Sequence, residues 1–305
     1  MNKIKWVRFI CSFFPPIIAQ QVREAFLSIP KAEKMAVAFT RKAFTGSILE
    51  GNTSDFHAFK FLIHGYFEWR NIVLTKTILG FKKGDLVEVG ANIGTETISL
   101  ADINPKAYVH AFEPLPVNFA SLLKIKKQNN LNHLKLYDVL VSNKKGEAHF
   151  KIPKQNSSGS GHISSEGNTA TQRFDVVTLD EQLVEMSSCA AIIADVEGFE
   201  PQVLEGATHI VATSKPFLIL EVNARFLMER AHISIETFYE NIMEMGYTSY
   251  YINRMGISKV DPFDFQSKSN KNWICIPNEH LNKRSKLSRT IGLNALNPLL
   301  RYKIL

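Results

Sequence analysis

The stretch Leu86-Val-Glu-Val-Gly-Ala-Asn-Ile-Gly94 decides the fold of this chain. It predicts a buried strand over Leu86–Val89, a turn that contains glycine, and a helix from about Thr95. In an open parallel sheet, such a turn lies at the carboxyl ends of the strands, where ligands bind. The turn is therefore the first candidate for a ligand site.

Further apolar runs follow and alternate with helical stretches. They are Tyr108–Phe112, Leu134–Val141, Ala191–Val196 and Phe217–Val222. This alternation predicts an α/β fold with a mainly parallel sheet and helices on both faces. A hairpin of Gly146–Ile152 and Gln172–Val177 is expected to interrupt it. The last strands are predicted at Thr248–Ile252 and Asn272–Ile276, the second antiparallel at the edge.

The 305 residues divide into three parts by charge and by pattern. Residues 1–85 carry 13 basic and 6 acidic groups, residues 86–280 carry 17 and 23, and residues 281–305 carry 6 and none. The first 80 residues predict helices, one of them capped by Ser54 or Asp55 and continuing towards Ile78. We therefore expect a helical N-terminal extension at 1–75, an α/β domain at 76–280 and a basic C-terminal tail at 281–305.

The ends of the chain leave two interpretations open. The first 19 residues begin like a signal peptide, but Pro15 and Pro16 interrupt the apolar run. One interpretation is a weak membrane-surface anchor, built from aromatic residues beside cations and helped by the basic tail. The other is a helical cap with a solvated tail. The residues of the membrane-surface anchor in the first interpretation are Trp6, Phe9, Ile10, Phe13 and Phe14.

The three cysteines, Cys11, Cys189 and Cys275, lie far apart in the sequence and form no CxxC pair. Neither a disulfide framework nor a zinc site is predicted, and a reducing, cytoplasmic location is favoured.

The turn after Val89 does not fit phosphate-bearing nucleotides. A dinucleotide fingerprint that starts at Gly90 needs glycine where this chain has Asn92 and Thr95. Glu96 would also oppose an anionic pyrophosphate at the helix start. A Walker loop fails because no Gly-Lys-Ser/Thr follows the turn. A cationic ligand without phosphate fits better.

Two acidic residues support such a ligand. Glu88 adds negative charge at the end of the first strand, and Glu113 ends the second strand, 23 positions after Gly90. A carboxylate there can accept both hydroxyls of a ribose. S-adenosylmethionine combines an unphosphorylated ribose with an ammonium and a sulfonium, which suits the acidic central region. The alternative is that the glycines serve packing alone and that Glu113 is a surface acid.

Several blocks in order resemble the FkbM family of methyltransferases over roughly residues 65–225. The blocks are Val87–Gly94, Ala111-Phe-Glu-Pro-Leu-Pro116, Val177-Thr-Leu-Asp180, Ala194-Asp-Val-Glu-Gly-Phe-Glu200 and Val203-Leu-Glu-Gly-Ala207. The resemblance implies a Rossmann-like class I methyltransferase with a mainly parallel seven-stranded sheet. It also implies S-adenosylmethionine as cofactor and, usually, a hydroxyl of a sugar, polyketide or other secondary metabolite as acceptor.

The resemblance also implies positions for the cofactor. It places Glu88, Gly90, Asn92 and Gly94 around the methionine end and Glu113 on the ribose. Asp138, at the end of the third strand, falls where class I enzymes contact adenine, although an acid there can also cap a turn. Glu68 is expected to close over the cofactor or, alternatively, to be a charge on a surface helix.

The candidate catalytic residues end the fourth strand. Methyl transfer to an alcohol needs a base for the hydroxyl proton, and Asp195 is the first candidate, with Glu197 beside it. The alternative is that Glu197 and Glu200 cap the following helix. His162, in a Ser/Gly-rich stretch, is a further candidate base. The family typically has lysine where this chain has Ile193, which bears on the assignment of the base.

These residues predict O-methylation of a hydroxyl on a saccharide, glycolipid or secondary metabolite. The rival interpretation is a non-catalytic S-adenosylmethionine-binding module of a glycan-biosynthesis system. A nucleic-acid enzyme is disfavoured because the central region is acidic and no Asn-Pro-Pro-Tyr-type motif occurs. No metal site is proposed, since a grouping of Asp195, Glu197 and Glu221 rests on spacing alone. The partners expected are a small-molecule or glycan acceptor and, through the basic ends, a membrane surface.

Overall fold

The computed structural model describes residues 2–151, 162–164, 171–264, 271–300 and 304. The strands are β1 (Ala38–Lys42), β2 (Ile48–Asn52), β3 (Asp85–Val89), β4 (Val109–Phe112), β5 (Leu134–Tyr137), β6 (Leu140–Val141), β7 (Gly146–Lys151), β8 (His162–Ser164), β9 (Thr171–Val177), β10 (Cys189–Ala194), β11 (Phe217–Val222), β12 (Tyr247–Ile252), β13 (Ile257–Lys259) and β14 (Lys271–Pro277).

The α-helices are α1 (Asn2–Cys11), α2 (Pro16–Phe26), α3 (Ile29–Met35), α4 (Phe56–His64), α5 (Trp69–Leu79), α6 (Thr97–Ile103), α7 (Pro116–Gln128), α8 (Leu179–Gln182), α9 (Glu200–Glu205), α10 (Thr208–Ser214), α11 (Ala224–Phe226), α12 (Ile235–Glu244) and α13 (Arg284–Ala295). A π-helical turn spans Leu227–Ala231, and a 3-10 helix spans Asn278–Lys283.

The central sheet has eight strands in the order β13-β12-β14-β11-β10-β3-β4-β5. Strand β3 pairs parallel with β10 and β4, and the parallel pairing extends to β11 and β5. The predicted mainly parallel, Rossmann-like sheet is confirmed, and β13 adds one strand at an edge. Because β3 and β10 are neighbours in this sheet, their carboxyl ends lie side by side.

Two strand predictions need correction. Strand β14 is antiparallel, as expected, but it lies between β11 and β12 instead of at the edge. Its residues 273–276 are fully buried, which fits an inner strand. The predicted strand Leu134–Val141 is two strands, of which β5 joins the central sheet and β6 a separate four-stranded sheet of order β6-β9-β7-β8. The predicted hairpin forms part of that second sheet, with β7 antiparallel to β9.

The N-terminal region contains a hairpin that the sequence did not predict. Strands β1 and β2 pair antiparallel between α3 and α4. The helix predicted to continue towards Ile78 is two helices, because Gly65 adopts a left-handed φ of 80° and ends α4. Asp55 caps α4 as predicted, since its carboxylate accepts a hydrogen bond from the Ala58 N–H at 2.8 Å.

A small apolar cluster holds the N-terminal helices on the rest of the molecule. Ile4, Val7 and Cys11 of α1 are buried with Phe59 and Leu62 of α4. This packing keeps α4 in place beside the strand ends. In the described ranges, no helix has the length and apolar character needed to cross a bilayer.

The basic C-terminal residues form a packed helix. Leu287, Ile291 and Ala295 of α13 are buried in the main core, where α13 packs against α5. The preceding cation Lys283 and the helix residue Lys286 lie 5.6 and 5.7 Å from the centre of the Phe81 ring. The C-terminal helix is thus part of the folded domain.

Candidate active site

The turn after β3 brings three strand ends together. Gly90 and Gly94 adopt left-handed φ angles of 88° and 85°. A Cβ on Gly90 would lie 2.0 Å from the backbone oxygen of Asp195 at the end of β10. The N–H groups of Gly90 and Ala91 both donate to the carbonyl of Phe112 at the end of β4, at 3.0 Å. Gly90 is therefore required for the close approach of the turn to β10.

Gly94 has a packing role. A Cβ there would lie 2.5 Å from Ile125 Cδ1 and 2.9 Å from Leu122 Cδ2 of α7. Asn92 between the glycines also has a left-handed φ, of 52°, and its Oδ1 accepts a hydrogen bond from the Ile93 N–H. Both glycines therefore serve packing, Gly94 against α7 and Gly90 against the end of β10, and Gly90 also lines a cavity.

Glu113 is buried directly beside the turn. Its Oε2 accepts the Asn92 N–H at 2.8 Å, and its Oε1 accepts the Leu115 N–H at 2.9 Å. Burial raises the pKa of Glu113 to about 7, although the backbone donors oppose the rise. Asn118 also forms a hydrogen bond with Glu113, and a carboxylate with about four acceptor positions keeps one for a ribose hydroxyl. Glu113 is thus not a surface acid.

Glu88 is a buried acid at the end of β3. Burial raises its pKa to about 8, and the charge of Glu113 adds to the rise. Within the part of the chain that the structure describes, Glu88 Oε2 has no hydrogen-bond partner. A buried, unpaired carboxylate oxygen is costly, and a cation beside it would relieve that cost.

A cavity of about 350 Å³ lies at the ends of β10 and β11. Helix α4 contributes His57 and Lys60 to its wall, the connection to α5 contributes Phe67, and the strand ends contribute Asp195 and Glu221. A smaller cavity shares five of these lining residues and extends to Glu88, Gly90 and Asn92. The shared residues are His57, Phe67, Glu96, Ile193 and Asp195.

Asp195 and Glu221 form a carboxyl pair at the cavity wall. Asp195 is an exposed residue that lines the cavity. Desolvation by the surrounding protein raises its pKa well above the usual range, and the charge of Glu221 and a hydrogen bond to Glu221 raise it further. Two carboxyl groups that share one proton behave in this way.

Glu197 and Glu200 have different roles. Glu200 is buried, and its Oε1 accepts the N–H groups of Val196 and Gly198 at 3.2 Å each, so it caps the turn. Glu197 lines the cavity and lies 3.5 Å from Arg230 Nη1. Burial, followed by the charge of Glu221, raises the pKa of Glu197 to about 7. The capping alternative therefore describes Glu200.

The sequence model of the FkbM methyltransferase domain matches residues 88–250, which is more than half of the chain. The chain belongs to the FkbM methyltransferase family. As a methyltransferase of this family, it uses S-adenosylmethionine as its cofactor. The matched region runs from Glu88 at the glycine turn to Tyr250 in β12, so it contains both strand ends of the cavity.

Solved structures similar to this FkbM methyltransferase share little sequence with it. An FkbM methyltransferase from Methylobacillus flagellatus is 14% identical, with coverage of 84% of this chain and 60% of that one and a TM-score of 0.43. The O-methyltransferase from Bacillus cereus in complex with SAH is 16% identical, with coverages of 68% and 78% and a TM-score of 0.40. M. jannaschii TYW2 in complex with AdoMet is 16% identical, with coverages of 79% and 84% and a TM-score of 0.39. No curated protein matches the sequence.

The described residues of the FkbM methyltransferase fit a cationic cofactor. Gly90 and Glu88 line the smaller cavity, Glu113 offers an acceptor for a ribose hydroxyl, and Glu88 and Glu96 each hold a buried carboxylate oxygen without a hydrogen-bond partner among the described residues. When bound, S-adenosylmethionine supplies a methyl group on a positively charged sulfur. No group of three or more His, Cys, Asp or Glu residues in the described ranges could hold a metal ion.

Glu68 lies in the wall of the larger cavity, and its closure over the cofactor stays a prediction. It precedes α5, lines the larger cavity and accepts a hydrogen bond from Asn272 Nδ2 at 3.5 Å. Burial raises the pKa of Glu68, whereas the charges of Arg70 and Lys60 lower it. Glu68 is therefore a half-buried cavity residue and not a charge on a surface helix.

Neither Glu113, which is buried beside the glycine turn, nor Asp138 is among the described residues that line the two cavities. Asp138 follows β5 at the same edge of the sheet and is exposed. The backbone of His162 belongs to β8 in the second sheet, but its side chain lies outside the described part. The roles of Asp138 and His162 remain predictions.

Two residues of α4 were missed by the sequence reasoning. His57 Nδ1 lies 3.3 Å from Asn92 Nδ2, and burial lowers the pKa of His57. Lys60 Nζ lies 4.0 Å from the centre of the Phe56 ring, and burial lowers its pKa as well. Lys60 and Ile193 line the same cavity, so a lysine is present there although position 193 has none. A mostly apolar helix far upstream of the glycine turn offers no motif that would reveal these two residues.

Glu113 provides a direct test of cofactor binding. We expect Glu113→Ala to weaken S-adenosylmethionine binding by about 10-fold to 100-fold, because hydrogen bonds to a charged group contribute roughly 1.5–3 kcal/mol. Titration calorimetry measures the change. Asp180→Ala is the matched control, since its carboxylate also accepts backbone N–H groups, from His209 and Ile210, but outside the site. Equal losses in both variants would contradict a contact between Glu113 and the cofactor.

Proposed function

We propose that this enzyme transfers the methyl group of S-adenosylmethionine to an oxygen atom of a hydroxyl-bearing saccharide, glycolipid or secondary metabolite. The observation that carries the proposal is the pair of Asp195 and Glu221, two acids at neighbouring strand ends that line the cavity beside the glycine turn. A carboxyl pair with one proton can donate one hydrogen bond and accept another. A hydroxyl group is oriented for attack when it accepts one hydrogen bond and donates another.

In this proposal, the carboxyl pair of Asp195 and Glu221 takes the hydroxyl proton of the acceptor. As the new carbon–oxygen bond forms and the carbon–sulfur bond breaks, the ionised carboxylate of the pair takes the hydroxyl proton. The raised pKa of Asp195 makes its ionised form a better proton acceptor than an ordinary aspartate. His57 is less suited to this task, because the hydrogen bond from Asn92 to its Nδ1 leaves the neutral ring's proton on Nε2.

The walls of the cavity support a small acceptor that carries hydroxyl groups. Phe56 and Phe67 offer aromatic surface, and Lys60 and Asn272 offer hydrogen-bond donors. About 350 Å³ lies within the range of small-molecule sites. A nucleic acid needs a basic path, whereas this cavity contains five acidic residues. The acids are Glu68, Glu96, Asp195, Glu197 and Glu221.

The proposal is tested by the chemistry of the product. The enzyme is incubated with methyl-labelled S-adenosylmethionine and saccharide or lipid fractions of the source cells. We expect label in methyl ethers, which survive alkaline hydrolysis that removes methyl esters. Label found only on nitrogen, on carbon or in alkali-labile esters would contradict O-methylation of a hydroxyl. Cofactor binding without transfer to any fraction would favour the non-catalytic module.

Cofactor binding should release protons. The cofactor adds positive charge beside Glu88, with a pKa of about 8, and Glu113, with a pKa of about 7, and a nearby cation lowers both values. At pH 7 we expect release of about one proton and an affinity that rises between pH 6 and pH 8. Calorimetry in two buffers with different ionisation enthalpies measures the release. Proton uptake, or an affinity that falls over this range, would contradict this assignment.

A further inference from the structure

A third cavity, of about 740 Å³, lies between α1, the β1–β2 hairpin and the end of α4. Four basic side chains line it, and no acidic residue is among the described residues that line it. They are Lys5, Arg8, Arg41 and Lys42. None of the residues described as lining this cationic cavity lines the two active-site cavities. It is therefore a separate candidate binding site.

The charges of the cationic cavity favour an anion. Lys5, Arg8 and Lys42 form no ion pair with any described residue. Like charges around one space repel each other, and an anion between them removes that repulsion. Phosphate is a chemical group that such a set of lysine and arginine side chains recognises.

An exposed aromatic face adjoins the cationic cavity. Trp6, Phe9 and Phe13 are spaced as neighbours along one side of α1 and the turn after it, and their exposed fractions are 48%, 63% and 62%. The opposite side of α1 is buried through Ile4 and Val7. Phe9 belongs both to the aromatic face and to the cavity wall. Aromatic side chains beside cations are typical of helices that lie in a membrane interface.

We infer that α1 docks on an anionic lipid bilayer, with its aromatic face in the interface and lipid phosphate groups in the cationic cavity. A soluble phosphate compound would account for the cations but not for the adjoining aromatic face. The docking surface consists of the aromatic face of α1 and the adjoining cationic cavity.

Trp6 provides a specific signal for this docking. The chain has three tryptophans, and Trp69 and Trp273 are 1% and 0% exposed. Lipids with brominated acyl chains should therefore quench the fluorescence of Trp6 alone. We expect quenching in vesicles of phosphatidylcholine with phosphatidylserine, little in phosphatidylcholine alone, and none in Trp6→Phe. Absence of quenching by anionic vesicles would overturn the inference.

Two charge variants test the role of the cationic cavity. Lys5→Gln with Arg8→Gln should weaken binding to anionic vesicles about thirty-fold, since each surface cation contributes roughly 1 kcal/mol. Lys144→Gln with Lys145→Gln removes the same charge from the exposed turn before β7 and should leave vesicle binding nearly unchanged. Equal weakening in both would overturn the assignment of the cavity.

Inorganic phosphate distinguishes a lipid surface from a soluble anion. At constant ionic strength, we expect millimolar phosphate to compete only weakly with vesicles, because it cannot use the aromatic face. Phe9→Ser with Phe13→Ser should abolish vesicle binding. Phosphate binding at the cavity without vesicle binding by the unchanged protein would overturn the inference in favour of a soluble anionic ligand.

Discussion

Gly90→Ala is expected to abolish binding of S-adenosylmethionine and methyl transfer. The new Cβ would lie 2.0 Å from the backbone oxygen of Asp195 and 3.0 Å from its carbonyl carbon. Backbone atoms cannot move aside as a flexible side chain can, so the turn after β3 and the end of β10 must separate. This separation displaces Glu88, which lies on the β3 side of the contact, and Asp195, which lies on the β10 side. We expect at least a 100-fold loss of cofactor affinity, which corresponds to about 2.7 kcal/mol.

Gly246→Ala is the matched control for this variant. Gly246 has the same φ, 88°, so alanine suffers the same left-handed backbone penalty of roughly 1–2 kcal/mol. The Cβ would meet only Lys215 Nζ, at 3.9 Å. Thermal unfolding with and without cofactor separates the two effects. Gly246→Ala should unfold at a lower temperature but should still be stabilised by the cofactor. Gly90→Ala should unfold at a lower temperature and gain no stability from the cofactor. Normal cofactor binding by Gly90→Ala would refute the role of this close approach.

The parts of the fold that the sequence predicted are governed by local patterns. Strands β3, β4, β10 and β11 are short apolar runs that end at turns, and the order of motifs along the chain indicates a parallel sheet. Gly90 and Glu113 could be assigned because each follows such a strand. Gly90 and Glu113 lie close together because β3 pairs parallel with β4.

The parts that the sequence missed depend on contacts between distant segments. Strand β14 looks like an edge strand in sequence, but pairing with both β11 and β12 places it inside the sheet. His57 and Lys60 reach the cavity only because the N-terminal helices pack together and hold α4 beside the strand ends. No local pattern encodes that packing. Glu221 was considered only as a metal ligand, because its pairing with Asp195 requires β10 and β11 to be neighbours.

Asp195→Asn is expected to lower kcat by about 100-fold to 10,000-fold, the usual contribution of a general base. Cofactor affinity should change much less, because the glycine turn and Glu113 are untouched. Asparagine is nearly isosteric with aspartate, so the cavity keeps its shape while the pair with Glu221 loses its shared proton. Labelled methyl transfer at saturating cofactor, together with calorimetric binding, measures the two effects separately. Unchanged kcat would refute Asp195 as the base.

Glu221→Gln completes this test, because the two carboxyl groups act as one unit. If they share the proton that the mechanism needs, the losses of the two single variants should not add in the double variant. His57→Gln keeps an acceptor and a donor near Asn92 and should cost much less, since His57 already holds its proton on Nε2. The unchanged enzyme should also lose kcat as the pH falls and Asp195, whose pKa is raised, becomes protonated. A loss in His57→Gln as large as in Asp195→Asn, with additive effects, would transfer the role of base from the carboxyl pair to His57.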